Sequence, residues 1–148
     1  MKIFIDYDFM GWNEYINAER RSKYIANQIK QEEKAVVVFS VKEKYTGSYP
    51  ITLTIRPHYK HRKRDLDNYR MKGLIDGLVS AGVIENDNLT KIDKIILEPI
   101  LDGGTGVEIE IKESKNSYTL LDYVNNFTDE EKEKAINHIR ELVKNDDK

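Results

Sequence analysis

The sequence predicts an α+β fold: one domain with a mixed or antiparallel sheet of about four strands, packed with helices. Three observations predict it. Runs of alternating or β-branched residues stand at 35–41, 51–56, 92–98 and 106–112. Helix-like stretches separate them, at 13–31 and 67–81. At 148 residues, with 39% hydrophobic content and nine Tyr, the chain is long enough for one domain with a sizeable core.

Taken in order, residues 2–6 alternate loosely and predict a short strand. Asn13 to about Gln31 contains no Gly or Pro and predicts a helix, with Trp12, Tyr15, Ile16, Ile25 and Ile29 available for one face. Arg20 and Arg21 interrupt that stripe; they mark a solvated turn or, functionally, a contact to DNA phosphate. Ala35–Val41 is rich in β-branched residues and predicts a strand. Tyr45–Pro50 is turn chemistry, and Ile51–Arg56 alternates strictly before Pro57, so the two runs predict a hairpin. A basic loop follows at 58–64. The helix expected over 67–81 buries Met71, Leu74, Ile75 and Leu78, with Gly82 beyond its end as a C-cap glycine. Asn68, Lys72 and Asp76 share another face of it. Two strands, 91–99 and 106–112, flank the turn at Asp102-Gly103-Gly104. Thr128 with Glu131 forms a capping box for a last helix striped by Ala135, Ile136, Ile139, Leu142 and Val143. The expected organisation is a domain over 1–116 with a helical extension of it over 117–148.

Composition excludes several functions. The chain has no Cys, hence no disulfide, thiolate zinc site or thiol redox chemistry, and its three His are scattered. No apolar run reaches the roughly 20 residues of a membrane helix, and the start is too polar for a signal peptide, so no membrane association and a cytoplasmic location are expected. Net charge is −2, which does not suggest a nucleic-acid binder. The distribution does: positive charge gathers at 56–64 and negative charge from Asp129 to Asp147, and local fields outweigh the sum.

The chemistry concentrates at Arg64-Asp65-Leu66-Asp67-Asn68, with Asp87 further on. Carboxylates two apart on an extended backbone face the same way. Asp65 and Asp67 could hold one hard divalent cation, with Asp87 as a third ligand. The alternative is helix capping, for which a single Asp would suffice. Asp87 in an Asn-Asp-Asn loop is ordinary turn chemistry on its own, and Lys72 alone is an ordinary helix lysine. Lys60, Arg62, Lys63 and Arg64 adjoin the aspartates and could hold phosphate without reading sequence. Together these groups suggest metal-assisted phosphodiester chemistry on nucleic acid.

The combination resembles the RusA-type Holliday junction resolvases. The residues that carry the resemblance are Arg64-Asp65-Leu66-Asp67-Asn68, then Leu74-Ile75-Asp76-Gly77-Leu78, then Ala81-Gly82-Val83-Ile84-Glu85-Asn86-Asp87. It spans about residues 50–112. A softer match at Asn13–Arg20 resembles phage-encoded relatives, so a prophage-like member is implied. The resemblance implies catalytic, metal-holding aspartates at Asp65, Asp67 and Asp87, Mg²⁺ as cofactor with Mn²⁺ as a substitute, branched DNA as substrate and a homodimer as the active form. Two positions depart from the family pattern. The family's Asp-Asp pair reads Asn86-Asp87 here. The family lysine falls one residue late, at Lys72, as if one residue were inserted in the first helical turn, and Arg70 could substitute for it. The expected function is a Mg²⁺-dependent endodeoxyribonuclease that resolves four-way junctions by paired symmetric nicks in recombination and repair. The alternative is a non-catalytic nucleic-acid-binding module of phage origin.

Overall fold

The computed structural model describes residues 1–61, 65–114, 128–134, 136 and 137. Two compact units divide the chain, Met1–Lys115 and Asn116–Lys148. In the first, the elements run β1 (Lys2–Ile5), α1 (Trp12–Arg21), α2 (Lys23–Ser40), β2 (Ile51–Tyr59), a 3₁₀ turn (Leu66–Asn68), α3 (Met71–Ser80), β3 (Ile92–Leu97), β4 (Ile100–Leu101) and β5 (Val107–Glu113). The class is α+β with a mixed sheet, as expected. Among the described residues the sheet has five strands, in the order β1-β5-β2-β3, with β4 pairing to β2 beyond β3.

β2 is the central strand. It pairs antiparallel to β5, with Leu53 opposite Ile111 and Ile55 opposite Ile109. It pairs parallel to β3, with Leu53 opposite Ile95. A parallel neighbour needs a crossover, and α3 lies between these two strands in sequence. Ile51, Leu53, Ile55, Ile109 and Ile111 are sealed on one face with Leu74 and Leu78 of α3. Each such side chain contributes roughly 1.5–3 kcal/mol on burial. Met71, expected in the α3 stripe, packs against the edge of this core, and Ile75 lies within it.

The expected strand at 35–41 is helical, and the expected hairpin with β2 does not form. Residues 35–40 are the last turns of α2, and Val41 is its extended C-cap. Its buried positions are Ala26, Glu33 and Val37, whose spacing fits one helical face and no strand. No Gly or Pro interrupts the chain between Lys23 and Thr46, since the next Gly after Gly11 is Gly47 and the first Pro is Pro50. The weak helix propensity of valine costs only tenths of a kcal/mol per residue. Burying Val37 completely against α3 outweighs it.

The helix expected over 13–31 is two helices. Ser22 separates them in extended conformation, and its Oγ accepts from the amides of Tyr24 and Ile25 at 3.2 and 3.5 Å, which is N-cap chemistry. The helix expected from 67 instead starts at Met71, after a non-helical step at Tyr69 and Arg70. β2 runs past Pro57 to Tyr59. The amide of His58 donates to Gly106 on the β5 side, so the Pro57 nitrogen faces the other neighbour. There the pairing steps from Leu97 of β3 to Ile100 of β4. Proline's missing N–H therefore falls at a gap in the ladder.

In the second unit, residues 129–134, 136 and 137 are helical. The Thr128 amide donates to Glu131 Oε2 at 2.8 Å and the Glu131 amide to Thr128 Oγ at 3.3 Å, the expected capping box. Ile136 is half-exposed; Ala135, Ile139, Leu142 and Val143 of the expected stripe lie outside the described residues.

Candidate nucleic-acid interface

The acidic segment follows β2 and precedes α3. Asp65 sits at the N-cap of the 3₁₀ turn but makes no side-chain capping bond, and Arg70, not an aspartate, holds the N-cap position of α3. Helix capping therefore does not account for Asp65 and Asp67. Both are exposed. Asn68 anchors the segment: its Oδ1 accepts from the Asn13 amide at 2.8 Å. A Cβ on Gly11 would meet the Asn68 side chain at 2.6 Å, so glycine permits this close approach of α1's leading residues.

Asp87 lies in an exposed loop shaped by Asn86, whose Oδ1 accepts from the amides of Asp87 and Asn88 at 2.8 and 3.3 Å. This is an Asx turn. Asp87 faces two adjoining hollows, both of which also include Lys72 and Asp76. Lys72 Nζ and Asp76 Oδ1 stand 3.2 Å apart, on the shared face expected for α3. One hollow is flanked by Lys30 and Lys34 of α2. The other is apolar, formed by Trp12, Met71, Ile75, Ile92 and Ile95.

Asp65 borders a different hollow, with Glu14, Asn68, Tyr59 and Tyr69. Among the described residues, no group of three or more His, Asp or Glu side chains is gathered to hold a metal ion. Asp65, Asp67 and Asp87 are thus not preassembled as one centre. The donor chemistry still suits Mg²⁺, which commonly takes one or two carboxylates together with substrate phosphate oxygens rather than an all-protein cage.

The cations separate into buried and exposed sets. Arg70, expected to touch DNA, is 1% exposed and paired with the fully buried Glu33. Its guanidinium lies 4.3 Å from the Tyr15 ring centre. Burial pushes the Glu33 carboxyl up, while Arg70 pulls it back. In this placement Arg70 is an internal cation, and the exposed one beside Asp87 is Lys72. Arg56 is likewise engaged, by Glu98, Glu108 and Glu110 at 2.9–3.1 Å. Lys60 is exposed and borders a further hollow with His58, His61 and Asp8. Arg62, Lys63 and Arg64 lie outside the described residues.

Sequence reasoning passed over Lys30, Lys34 and Trp12. The first two were legible as an i, i+4 pair on a helix. Trp12 carried no signal of its own beyond being one apolar residue in a helical stripe.

The family model described as Endodeoxyribonuclease RusA matches residues 3–112. The chain belongs to the RusA endodeoxyribonuclease family. Members are nucleases that act on branched DNA and generally depend on a divalent metal. The matched span takes in every element of the sheet and the Asp65, Asp67 and Asp87 positions. No curated protein matches the chain. No helix among the described residues is long and apolar enough to cross a membrane.

Proposed function

We propose that this RusA-family chain is a Mg²⁺-dependent, structure-selective endonuclease that resolves four-way DNA junctions by paired symmetric nicks. The nuclease would reside in 1–116, with 117–148 as its helical extension. The observation that supports this reading is the placement of Asp87, remote in sequence from Lys72, against the same cationic hollow as Lys72, Lys30 and Lys34. A carboxylate beside exposed lysines suits a site where phosphate must be drawn in and metal held.

Asp65, Asp67 and Asp87 are the residues that would hold the metal. When bound, a divalent ion activates water and offsets charge on the phosphate. The chain's own part is positioning. Lys60, Arg62, Lys63 and Arg64 would engage the phosphate backbone. Lys72 would stabilise charge developing on the phosphate or the leaving oxygen. Its pairing with Asp76 fixes the ammonium beside the hollow. Two nicks on opposing strands call for two sets of metal-holding residues, and one chain would offer the single set Asp65, Asp67 and Asp87, so a twofold homodimer would be the working form. Such a dimer should bury about 1,200–2,000 Å² in total. The edge of a strand at 35–41 is not available for it, because that segment is helical.

One observation favours the second reading, a nucleic-acid-binding module without catalysis: Asp65 and Asp87 border separate hollows. A labelled four-way junction incubated with and without Mg²⁺ separates the two. The nuclease reading expects metal-dependent nicks at symmetric positions, lost in Asp67→Asn and Asp87→Asn while junction binding persists. Wild-type nicking by Asp67→Asn would exclude the metal role. Sedimentation of a 17.3 kDa species, unchanged by junction, would exclude the paired-nick mechanism.

A further inference from the structure

We infer that the apolar hollow beside Lys72 and Asp76 receives one unstacked base of the DNA, with Trp12 as its stacking face. The inference rests on the nuclease reading and deepens it by naming what the site recognises. Three observations carry it.

The first is the pairing of hollows. Lys72, Asp76 and Asp87 border both the cationic and the apolar one. A nucleotide has the same two-sided character, with an anionic phosphate a short, fixed distance from a flat apolar ring. Phosphate placed among Lys30, Lys34 and Lys72 leaves its base next to the apolar side.

The second is the state of Trp12. It is 38% exposed, and Ile95 across the hollow is similarly open. Its nearest ring, Tyr15, lies edge-on at 6.2 Å with planes 82° apart, so the two do not stack face to face. The hollow is an open cleft of about 340 Å³, of a size with small-molecule sites at roughly 300–1,000 Å³.

The third is rigidity. Trp12 stands between Gly11, which packs on Asn68, and Asn13, whose amide is bound by Asn68. The backbone that carries Trp12 is therefore tied to the segment that bears Asp65 and Asp67. A base stacked in a continuous duplex cannot leave its neighbours without the cost of unstacking. A branch point offers bases already free, and aromatic stacking accepts any of the four. The hollow would thus favour branched over continuous DNA without reading sequence.

Trp12 is the chain's only tryptophan, so its fluorescence reports this hollow alone. The full chain is titrated in EDTA with a four-way junction, with the continuous duplex of the same sequence, and with a junction carrying abasic sites at the branch. The expected result is quenching by the intact junction, little by the duplex, and loss of quenching with the abasic junction. Trp12→Ala should weaken junction binding roughly 10-fold or more and leave duplex binding unchanged, and Trp12→Phe should restore most of it. Junction binding without quenching, or an abasic junction that quenches fully, overturns the proposal whatever the variants do. A fluorescence change that follows protein concentration without DNA also overturns it, placing a second copy of the chain in the hollow. Nicking in Mg²⁺ is scored on the same junction. Quenching without nicking supports the base site and removes the nuclease reading, whereas nicking without quenching does the reverse.

Discussion

Arg70 and Lys72 stand two residues apart at the start of α3 and both border the cationic hollow, yet one is buried and the other exposed. Arg70 is sealed between α2 and α3, paired with Glu33 and lying over Tyr15. Lys72 is 62% exposed at its side chain and faces the hollow beside Asp87. The helix interface buries its charge as a pair, Arg70 with Glu33, and glycine makes room for it. At Gly73 a Cβ would collide with the Glu33 carboxylate. The rim, by contrast, leaves Lys60, Asp65, Asp67 and Asp87 exposed. Water screens each of these charges, so their contribution to stability is small, and they are available to a ligand. Mutation should therefore divide the molecule, with stability lost at the interface and DNA handling lost at the rim.

The largest effect is expected at the buried pair. Arg70→Met removes one partner and leaves Glu33 uncompensated in the interior. Such a loss costs about 3–5 kcal/mol, a large fraction of the ~5–15 kcal/mol that holds a domain together. Adding Glu33→Gln removes the stranded charge and keeps an acceptor for the Met10 amide, which Glu33 Oε1 binds at 3.3 Å. The double variant should regain much of the loss. Urea denaturation with an unchanged m-value measures both. A single-variant loss below about 1 kcal/mol would put the pair in the same class as the rim charges and end the distinction.

Next comes the apolar part of the same interface. A Cβ on Gly77 would lie 2.6 Å from Val37 Cβ and Cγ2, and Val37 is fully buried with nowhere to move. Gly77→Ala gains about 1 kcal/mol of helix propensity but overpacks at about 1–3 kcal/mol. A net loss is expected, seen as a lower urea midpoint. Val37→Ala in the same chain should relieve it. If Gly77→Ala alone stabilises, α2 and α3 are not in close contact at this point.

These two regions also differ in how far they could be read beforehand. At the rim, the Asn68–Lys72–Asp76 face and the exposed charges could be read from residue type and spacing, but how Asp65 and Asp87 sit relative to each other could not: they border separate hollows. The α3 stripe and the sheet strands from 51 onward followed from local periodicity. The α2–α3 interface was not legible. Val36-Val37-Val38 has strand propensity taken alone, and only the continuation of the Ala26–Glu33–Val37 phase, with Gly77 waiting opposite, makes it helix. Arg70 was misplaced for a related reason. Arginine is almost never fully buried unless paired, and its partner Glu33 lies on another element, 37 residues away in sequence. Pairings of that range leave no local trace.

At the rim, Lys60→Ala should change stability by no more than about 0.5 kcal/mol. Its expected effect is on DNA. If Lys60 contacts phosphate, the slope of log affinity against log salt becomes shallower by about 0.9, with affinity falling alike for all junction sequences. Fluorescence anisotropy across a salt series measures this. An unchanged slope with a lowered urea midpoint would assign Lys60 to structure and blur the division between regions.

The smallest effect is expected where the rim itself holds a paired charge. Asp102, in the turn between β4 and β5, accepts from the Gly104 amide at 2.9 Å and stands 2.7 Å from His58 Nδ1. The Gly104 amide, then His58, holds its carboxyl below the usual aspartate value. A carboxyl depressed in the folded state binds its proton less readily there than in the unfolded chain. Its stabilising contribution is therefore complete above the ordinary value near ~3.9 and is lost as pH falls through the lower, folded value. The turn should loosen under acid as this carboxylate takes up its proton. The protection factor of the Gly104 amide, its intrinsic rate divided by its observed exchange rate, should fall in this acid window as pH is lowered from neutral. Asp102→Asn keeps the amide's acceptor and removes the titration, so its protection should stay flat. Parallel profiles for Asp102→Asn and the parent chain would show that this carboxylate does not hold the turn, and that the rim carries no charge fixed for structure at this position.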